Sequence, residues 1–242
     1  MKTIDINCDL GEGTGNEAAI MPYISSCSIA CGGHYGDINT IASCYQMATE
    51  QGVKVGAHPS YPDRVNFGRK TMPLDLDKLQ ATLRQQLDLF FTVVEDCQHI
   101  KPHGALYNDL FFDHEKALAV VDVFLEYRSD VAVYCPPNSA LATAAKTKGL
   151  RVVFEGFGDR SYSADGQLVS RSIIGGVLTD HEIIGAQVIQ MVTDKTVTTL
   201  DQKIISLPVK TICLHGDGKR VIEHLSHLTQ LFTQNQINVQ SF

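Results

Sequence analysis

The chain has 242 residues, 44% of them hydrophobic, a formal net charge of -7 and no basic cluster. That is enough apolar material for one large core, and the charge argues against nucleic acid and anionic membrane as partners. No apolar run reaches the ~18 residues a membrane span needs, and Asp5 sits where a signal peptide would be apolar, so a cytoplasmic protein is expected.

Residues 3–10 alternate and predict a strand with Asp5, Asn7 and Asp9 on one face. Polar groups on an inner strand face are costly unless water, a cation or a ligand meets them. A second strand at 27–30 ends in a glycine- and histidine-bearing loop around His34 and Asp37, and a helix over 38–51 stops at Gly52. A short strand at 53–55 runs into the most heavily loaded loop, 56–69, which holds His58, Tyr61, Asp63, Arg64, Arg69 and two prolines. Prolines stiffen such a loop and glycines let backbone approach a ligand. Leu79, Leu83, Leu87, Phe90, Phe91 and Val94 recur at helical spacing and predict a helix over 76–94.

A strand at 99–101 leads into Lys101, His103, Tyr107 and Asn108. Further along, helices are expected at 115–127, 139–148, 183–192 and 221–232, with strands at 131–134, 152–154, 209–214 and 237–239. The strand at 152–154 leads to Asp159 and Arg160, and the penultimate strand to His215 and Asp217. His224 and His227, on the last helix, read as surface or helix-end residues. The seven cysteines are scattered, several of them within apolar strands, which favours buried free thiols over a disulfide framework. Cys31 beside His34 is the one thiol with a neighbour that could make it reactive.

Alternating strand and helix implies a parallel sheet with helices outside. Polar clusters follow most of the strands. A barrel would bring them to one mouth, whereas an open sheet would spread them along an edge. An α/β fold is therefore expected, a single closed or nearly closed β/α barrel of about seven parallel strands spanning residues 1–242.

The glycines form neither a phosphate loop nor a dinucleotide turn: Arg220 stands where the first would need a hydroxyl. Asp5, Asn7, Asp9, His34, His58, His103, His215 and Asp217 would line the mouth, and carboxylates with imidazoles suit a divalent metal. Acid–base chemistry needs no metal. His58 or His103 can take a proton from water, with Asp9 orienting it. Lys101 and Arg160 can hold an anionic group or an oxyanion, and Tyr107 and Asn108 can donate to a carbonyl.

The ordered motifs DINCDLGE (5–12), IACGGHYGD (29–37), GAHPSYPD (56–63) with FGR (67–69), KPHGALYN (101–108), DRSY (159–162) with DG (165–166), and CLHGD (213–217) resemble the LamB/YcsF family, the A subunits of bacterial 5-oxoprolinases. The resemblance runs nearly end to end. It implies a distorted, TIM-like β/α barrel of the glycoside hydrolase/deacetylase type. It also implies ATP-dependent opening of the lactam 5-oxo-L-proline to L-glutamate, with separate B and C subunits as partners and ATP bound at the level of the complex. Catalytic roles then fall to Asp9, His58, His103 and Lys101. Substrate contacts fall to Asn7, Glu12, His34, Asp37, Tyr107, Asn108, Asp159, Arg160, His215 and Asp217. The rival readings are a stand-alone deacetylase-like hydrolase of another cyclic amide, with a metal on Asp9, His58, His103 and His215, and a non-catalytic lactam-binding subunit. The chain departs from the family at Gly33, where Phe is expected, at Ser60 and Asn66 for Gly, at Arg64 for an aliphatic residue, and at Gly218-Lys219 for Thr-Pro.

Overall fold

The computed structural model describes residues 2–218 and 220–242. Lys219, one of the departures from the family pattern, lies outside them. The sheet order β1 (Lys2–Leu10), β2 (Ser26–Ala30), β3 (Lys54–His58), β4 (Cys97–Ile100), β5 (Ala132–Cys135), β6 (Arg151–Phe157) and β9 (Thr211–Cys213) closes on itself, because β9 also pairs with β1. The result is a barrel of seven parallel strands. β1 is shared. Its first residues pair with β10 (Ile237–Val239) and its middle with β9. Between β6 and β9 the chain also makes an antiparallel hairpin of β7 (Thr196–Thr198) and β8 (Ile204–Ser206), which the apolar pattern does not announce.

The helices cover the outside. A short α1 (Glu17–Ile20) and a 3-10 turn (Met21–Tyr23) follow β1, and α2 (Ile38–Gln51) follows β2. Next come α3 (Leu76–Phe91), the one-and-a-half-turn α4 (Gly104–Asp109), α5 (His114–Tyr127), α6 (Ala140–Thr147), α7 (His181–Asp194) and α8 (Val221–Gln234). Asp37, Asp75, Asp113, Ser139 and Asp180 start five of these helices by accepting from backbone N–H groups of the first turn. The helix expected to reach Val94 stops at Phe91, and Val94 is buried from the turn beyond it. None of the described helices is long and apolar enough to cross a membrane.

The pleat sorts the strands into two faces. Ile4, Ile6, Cys8 and Leu10 of β1 point outward into the apolar layer beneath the helices, together with Cys27, Ile29, Val55, Ile100, Val133, Cys135 and Ile212. The inward residues are largely polar: Asp5, Asn7 and Asp9 of β1, Ser26 and Ser28 of β2, His58, His99, Tyr134, Glu155 and Thr211. A barrel interior is usually filled by branched apolar side chains. Here it is a stack of hydrogen-bonded polar groups, and that stack carries the functional residues. All seven cysteines are free and buried. Burial pushes the Cys31 thiol up, and its sulfur accepts from the His58 backbone N–H, so it has no reactive character. His224 lies in the first turn of α8, the helix-end position expected, but it is buried and not on the surface, on the apolar face of that helix.

Candidate active site

The polar stack has two levels. At the closed end, Asp5 accepts hydrogen bonds from Ser25 Oγ at 2.6 Å, Ser26 Oγ at 2.8 Å, Thr211 Oγ1 at 2.6 Å and Tyr134 OH at 3.1 Å. His99 stacks on Tyr134 at 3.7 Å and meets Ser28 Oγ at 3.1 Å. Gly56 allows this, since a Cβ there would fall 2.3 Å from the His99 ring.

One turn of the pleat higher, Lys101 uses all three N–H donors. They go to Asp9 Oδ1 at 2.9 Å, Glu155 Oε1 at 2.8 Å and Asn7 Oδ1 at 3.2 Å. Burial favours the neutral amine, but Asp9 and Glu155 outweigh it and hold the lysine charged. Burial likewise opposes ionisation of Asp9, yet His58 and Lys101 keep its carboxyl well below the usual range. Asn7 Nδ2 donates to Glu155 Oε1 at 3.0 Å and to Thr211 Oγ1 at 2.7 Å, which ties the two levels together.

At the mouth, β3 ends at His58 because Pro59 cannot extend the ladder. The loops after β3 and β4 are laced by His103 N–H to Pro59 O at 2.8 Å and Ala105 N–H to Gly68 O at 2.9 Å. Gly68 has φ 62°, and a Cβ would lie 3.0 Å from both His34 Cβ and His103 Cδ2, so only glycine brings the chain this close. His58 Nδ1 donates to Lys101 O at 2.7 Å, and His103 Nε2 donates to Phe67 O at 2.9 Å. Carbonyls only accept, so both tautomers are fixed. The remaining nitrogens, His58 Nε2 and His103 Nδ1, face each other at 3.0 Å. Asp9 Oδ2 lies 3.3 Å from the first and Glu12 Oε1 3.3 Å from the second. His34 stacks on His103 at 3.7 Å and meets Glu12 Oε1 at 2.9 Å, while its Nδ1 is buried without a partner. Burial pushes Glu12 up and both His34 and His103 down, away from their charged forms. Donor atoms of Glu12, His34, His58 and His103 all lie within 4.8 Å of one another, the arrangement a metal ion would use.

Asp9, Glu12, His58 and His103 open onto a cavity of about 420 Å³. Its other walls include Tyr107, Asn108, Glu155, Phe157, Arg160, Arg171 and His215. Tyr107 OH and Glu155 Oε2 are both buried there without a hydrogen-bond partner, which is unfavourable unless water or a ligand meets them. His215 stacks on Phe157 and directs Nδ1 at Asp159, 2.9 Å away, which leaves Nε2 for the cavity. His215 in turn holds the Asp159 carboxyl below its usual range despite burial. Arg160 is buried and donates to Gly176 O at 3.1 Å and to Val169 O. No carboxylate among the described residues forms an ion pair with it, and burial lowers its pKa to about 10.

The structure therefore gathers Asn7, Asp9, Glu12, His34, His58, Lys101 and His103 into one network, and places Tyr107, Asn108, Arg160 and His215 around the adjoining cavity, with Asp159 behind His215. Asp37 is elsewhere, exposed as the cap of α2. Asp217 pairs with Arg69 at the rim. His215 does not join His58 and His103 as a prospective ligand, since Asp159 engages it. Glu155 was missed by sequence reasoning. Its signal is an acid on the same parity as Phe157 in an otherwise apolar strand. Two departures from the family pattern form one repacked patch. A Cβ on Gly33 would strike Gln86 Oε1 and Ser60 Oγ, and Gln86 is bonded to the Ser60 backbone at 2.9 and 2.8 Å. Arg64 donates to Gly32 O at 3.2 Å and Gly36 O at 2.5 Å, clamping two mouth loops together.

Residues 4–242 match the model of the LamB/YcsF family. The chain is 37% identical over 248 residues to a protein of Acinetobacter baumannii (strain AB307-0294) named as the A subunit of 5-oxoprolinase, covering 99% of this chain and 98% of that one. A protein of the same name from Pyrococcus abyssi (strain GE5 / Orsay) is 37% identical over 245 residues, covering 98% and 96%. The crystal structure of a lactam utilization protein from Thermus thermophilus superposes with a TM-score of 0.91 at 32% identity, over 100% of both chains.

Proposed function

The chain belongs to the LamB/YcsF family, and from that premise we propose that it is the A subunit of a 5-oxoprolinase, hydrolysing the lactam amide of 5-oxo-L-proline to L-glutamate. The near full-length identity to proteins named for that activity supports the reaction. The observation in the molecule that carries it is a two-sided cavity. One wall holds the Asp9, Glu12, His58 and His103 cluster, and the other holds Arg160, buried without a counter-ion beside Arg171. A small cyclic amide bearing a carboxylate fits that polarity: the carboxylate goes to Arg160 and the ring amide to the acid–base wall.

A lactam carbonyl is a poor electrophile. Phosphorylation of its oxygen by ATP makes the ring carbon open to water. The first water adds and the C–N bond breaks, the nitrogen taking a proton. A second water then releases phosphate from the resulting acyl phosphate, leaving glutamate, ADP and phosphate. We assign the phosphoryl transfer to partner B and C subunits, because this sequence has no standard nucleotide loop. This chain contributes the hydrolytic pocket. Asp9, His58 and His103 handle the attacking water, and His215, set by Asp159, supplies a further proton acceptor at the cavity. Lys101 has no donor to spare for an oxyanion. Its part is to fix Asp9 and Glu155. The deciding experiment is glutamate release from 5-oxoproline and ATP by B and C subunits with and without this chain. Release only in its presence supports the proposal, and equal release without it overturns it.

A further inference from the structure

His58 Nε2 and His103 Nδ1 meet at 3.0 Å, with Asp9 Oδ2 3.3 Å from the first and Glu12 Oε1 3.3 Å from the second, so ligating atoms converge on one spot that a cation would hold together. Backbone carbonyls impose this arrangement: Lys101 O holds the proton on His58 Nδ1, and Phe67 O holds it on His103 Nε2. Carbonyl partners on the far nitrogen are the usual outer support of metal-bound histidine. His34 adds a third ring, and its unpartnered Nδ1 shows that only its Nε2 side is committed. We propose that Glu12, His34, His58 and His103 bind one divalent first-row cation of the zinc type, with Lys101 O supporting His58 from behind and Asp9 Oδ2 beside its donor nitrogen.

The donor set selects the class. Imidazoles and one carboxylate suit zinc, cobalt or manganese, whereas calcium and magnesium take mostly oxygen ligands. The spacing must adjust in both directions. A tetrahedral ion with ligands at ~2.1 Å separates its donor atoms by ~3.4 Å, so the 2.9 and 3.0 Å pairs must open and the 3.9 Å separation of Glu12 Oε1 and His58 Nε2 must close. His34, stacked flat on His103, must tilt before both rings address one ion. Glu12, His58 and His103 also face the cavity, so one side of the ion stays open to water or a substrate oxygen. The site differs from the set expected from sequence in using Glu12 and His34 where Asp9 and His215 were expected. It would make His58 and His103 ligands and leave proton transfer to Asp9 and His215.

The test needs only the purified full chain, stripped with a chelator and titrated with Co²⁺ and then Zn²⁺. One equivalent of Co²⁺ with a visible d–d band, displaced by Zn²⁺, is expected. Glu12→Gln and His103→Ala should each weaken binding at least ~10-fold. His181→Ala should leave it unchanged, which separates the site from the second group of His181, Glu182 and His227. If His103→Ala fails to fold, the near-isosteric Glu12→Gln decides. Absence of stoichiometric binding by folded wild type overturns the proposal and leaves a shared proton between His58 and His103. Binding that survives Glu12→Gln overturns it as well. Because the readout is metal binding alone, it stands or falls separately from the lactam reaction. A complex that never releases glutamate leaves the Co²⁺ result intact, and metal-free turnover with no Co²⁺ uptake sinks the site but not the reaction.

Discussion

Asp5 and Asp9 sit on the same strand, on the same face and both out of solvent, yet the barrel treats them in opposite ways. At the closed end Asp5 meets neutral hydroxyls. Burial raises its pKa, and four hydroxyl donors from Ser25, Thr211, Ser26 and Tyr134 only partly offset that. At the mouth Asp9 meets Lys101 and His58, which hold it ionised. Hydroxyls rotate to suit whatever protonation state lies beside them, so the floor is a satisfied, self-contained structure. The mouth is made of fixed charges and lone pairs that no rotation can reconcile. Burial alone therefore does not mark a functional carboxylate in this barrel. The mark is a neighbourhood that the protein cannot satisfy by itself.

The largest expected effect tests that contrast directly. Asp9→Asn should lower ATP-dependent glutamate release by ~10²–10⁴-fold, the usual worth of a group in proton transfer. The equivalent change on the floor, Asp5→Asn, should leave release within about twofold, since Asp5 lies away from the cavity lining. Similar losses in both variants would erase the distinction between the two levels.

Next comes the joint between them. Lys101→Met leaves Asp9 and Glu155 buried without their shared cation, and stability in urea should fall by about 3–5 kcal/mol. Adding Glu155→Gln should restore a measurable part of that, by a coupling of about 0.5–3 kcal/mol in a double-mutant cycle. Strict additivity would mean that Lys101 does not hold the pair together.

On the far wall, Arg160→Ala should raise KM for the lactam about 10- to 100-fold with a smaller change in kcat, the signature of a group that binds the unreacting carboxylate. An unchanged KM would remove the substrate from that wall.

The contrast also explains what was legible in the sequence. Parity placed Asp5, Asn7 and Asp9 on one face, and the strand–helix alternation gave the closed barrel, because both depend on neighbours a few residues apart. The histidines at the strand ends were visible for the same reason. What could not be read is which polar groups satisfy one another. Lys101 looked free to hold an anion, but Asp9 is 92 residues away in the chain and reaches it only through barrel closure. Glu155 fell just past a strand expected to end at residue 154, whereas β6 carries on to Phe157, and the inward direction of His99 needed the register of β4. The roles of Asp37 and Asp217 depend on a helix cap and on Arg69.

The smallest effect is on the floor and concerns pH. The folded-state pKa of Asp5 is raised above the ordinary aspartate value, with burial the dominant cause. The native state therefore binds the Asp5 proton more tightly than the unfolded chain does. Its contribution to stability is fully present below the unfolded pKa and is lost as pH rises through the folded one. Asparagine cannot ionise, so Asp5→Asn should hold its own stability across that window. The wild-type advantage over Asp5→Asn, read from urea midpoints between about pH 4 and about pH 8, should shrink steadily with rising pH. A difference that grows with pH would mean that the four hydroxyl donors outweigh burial. Asp5 would then be held ionised, as Asp9 is, and the two levels would differ only in what reaches them from the cavity.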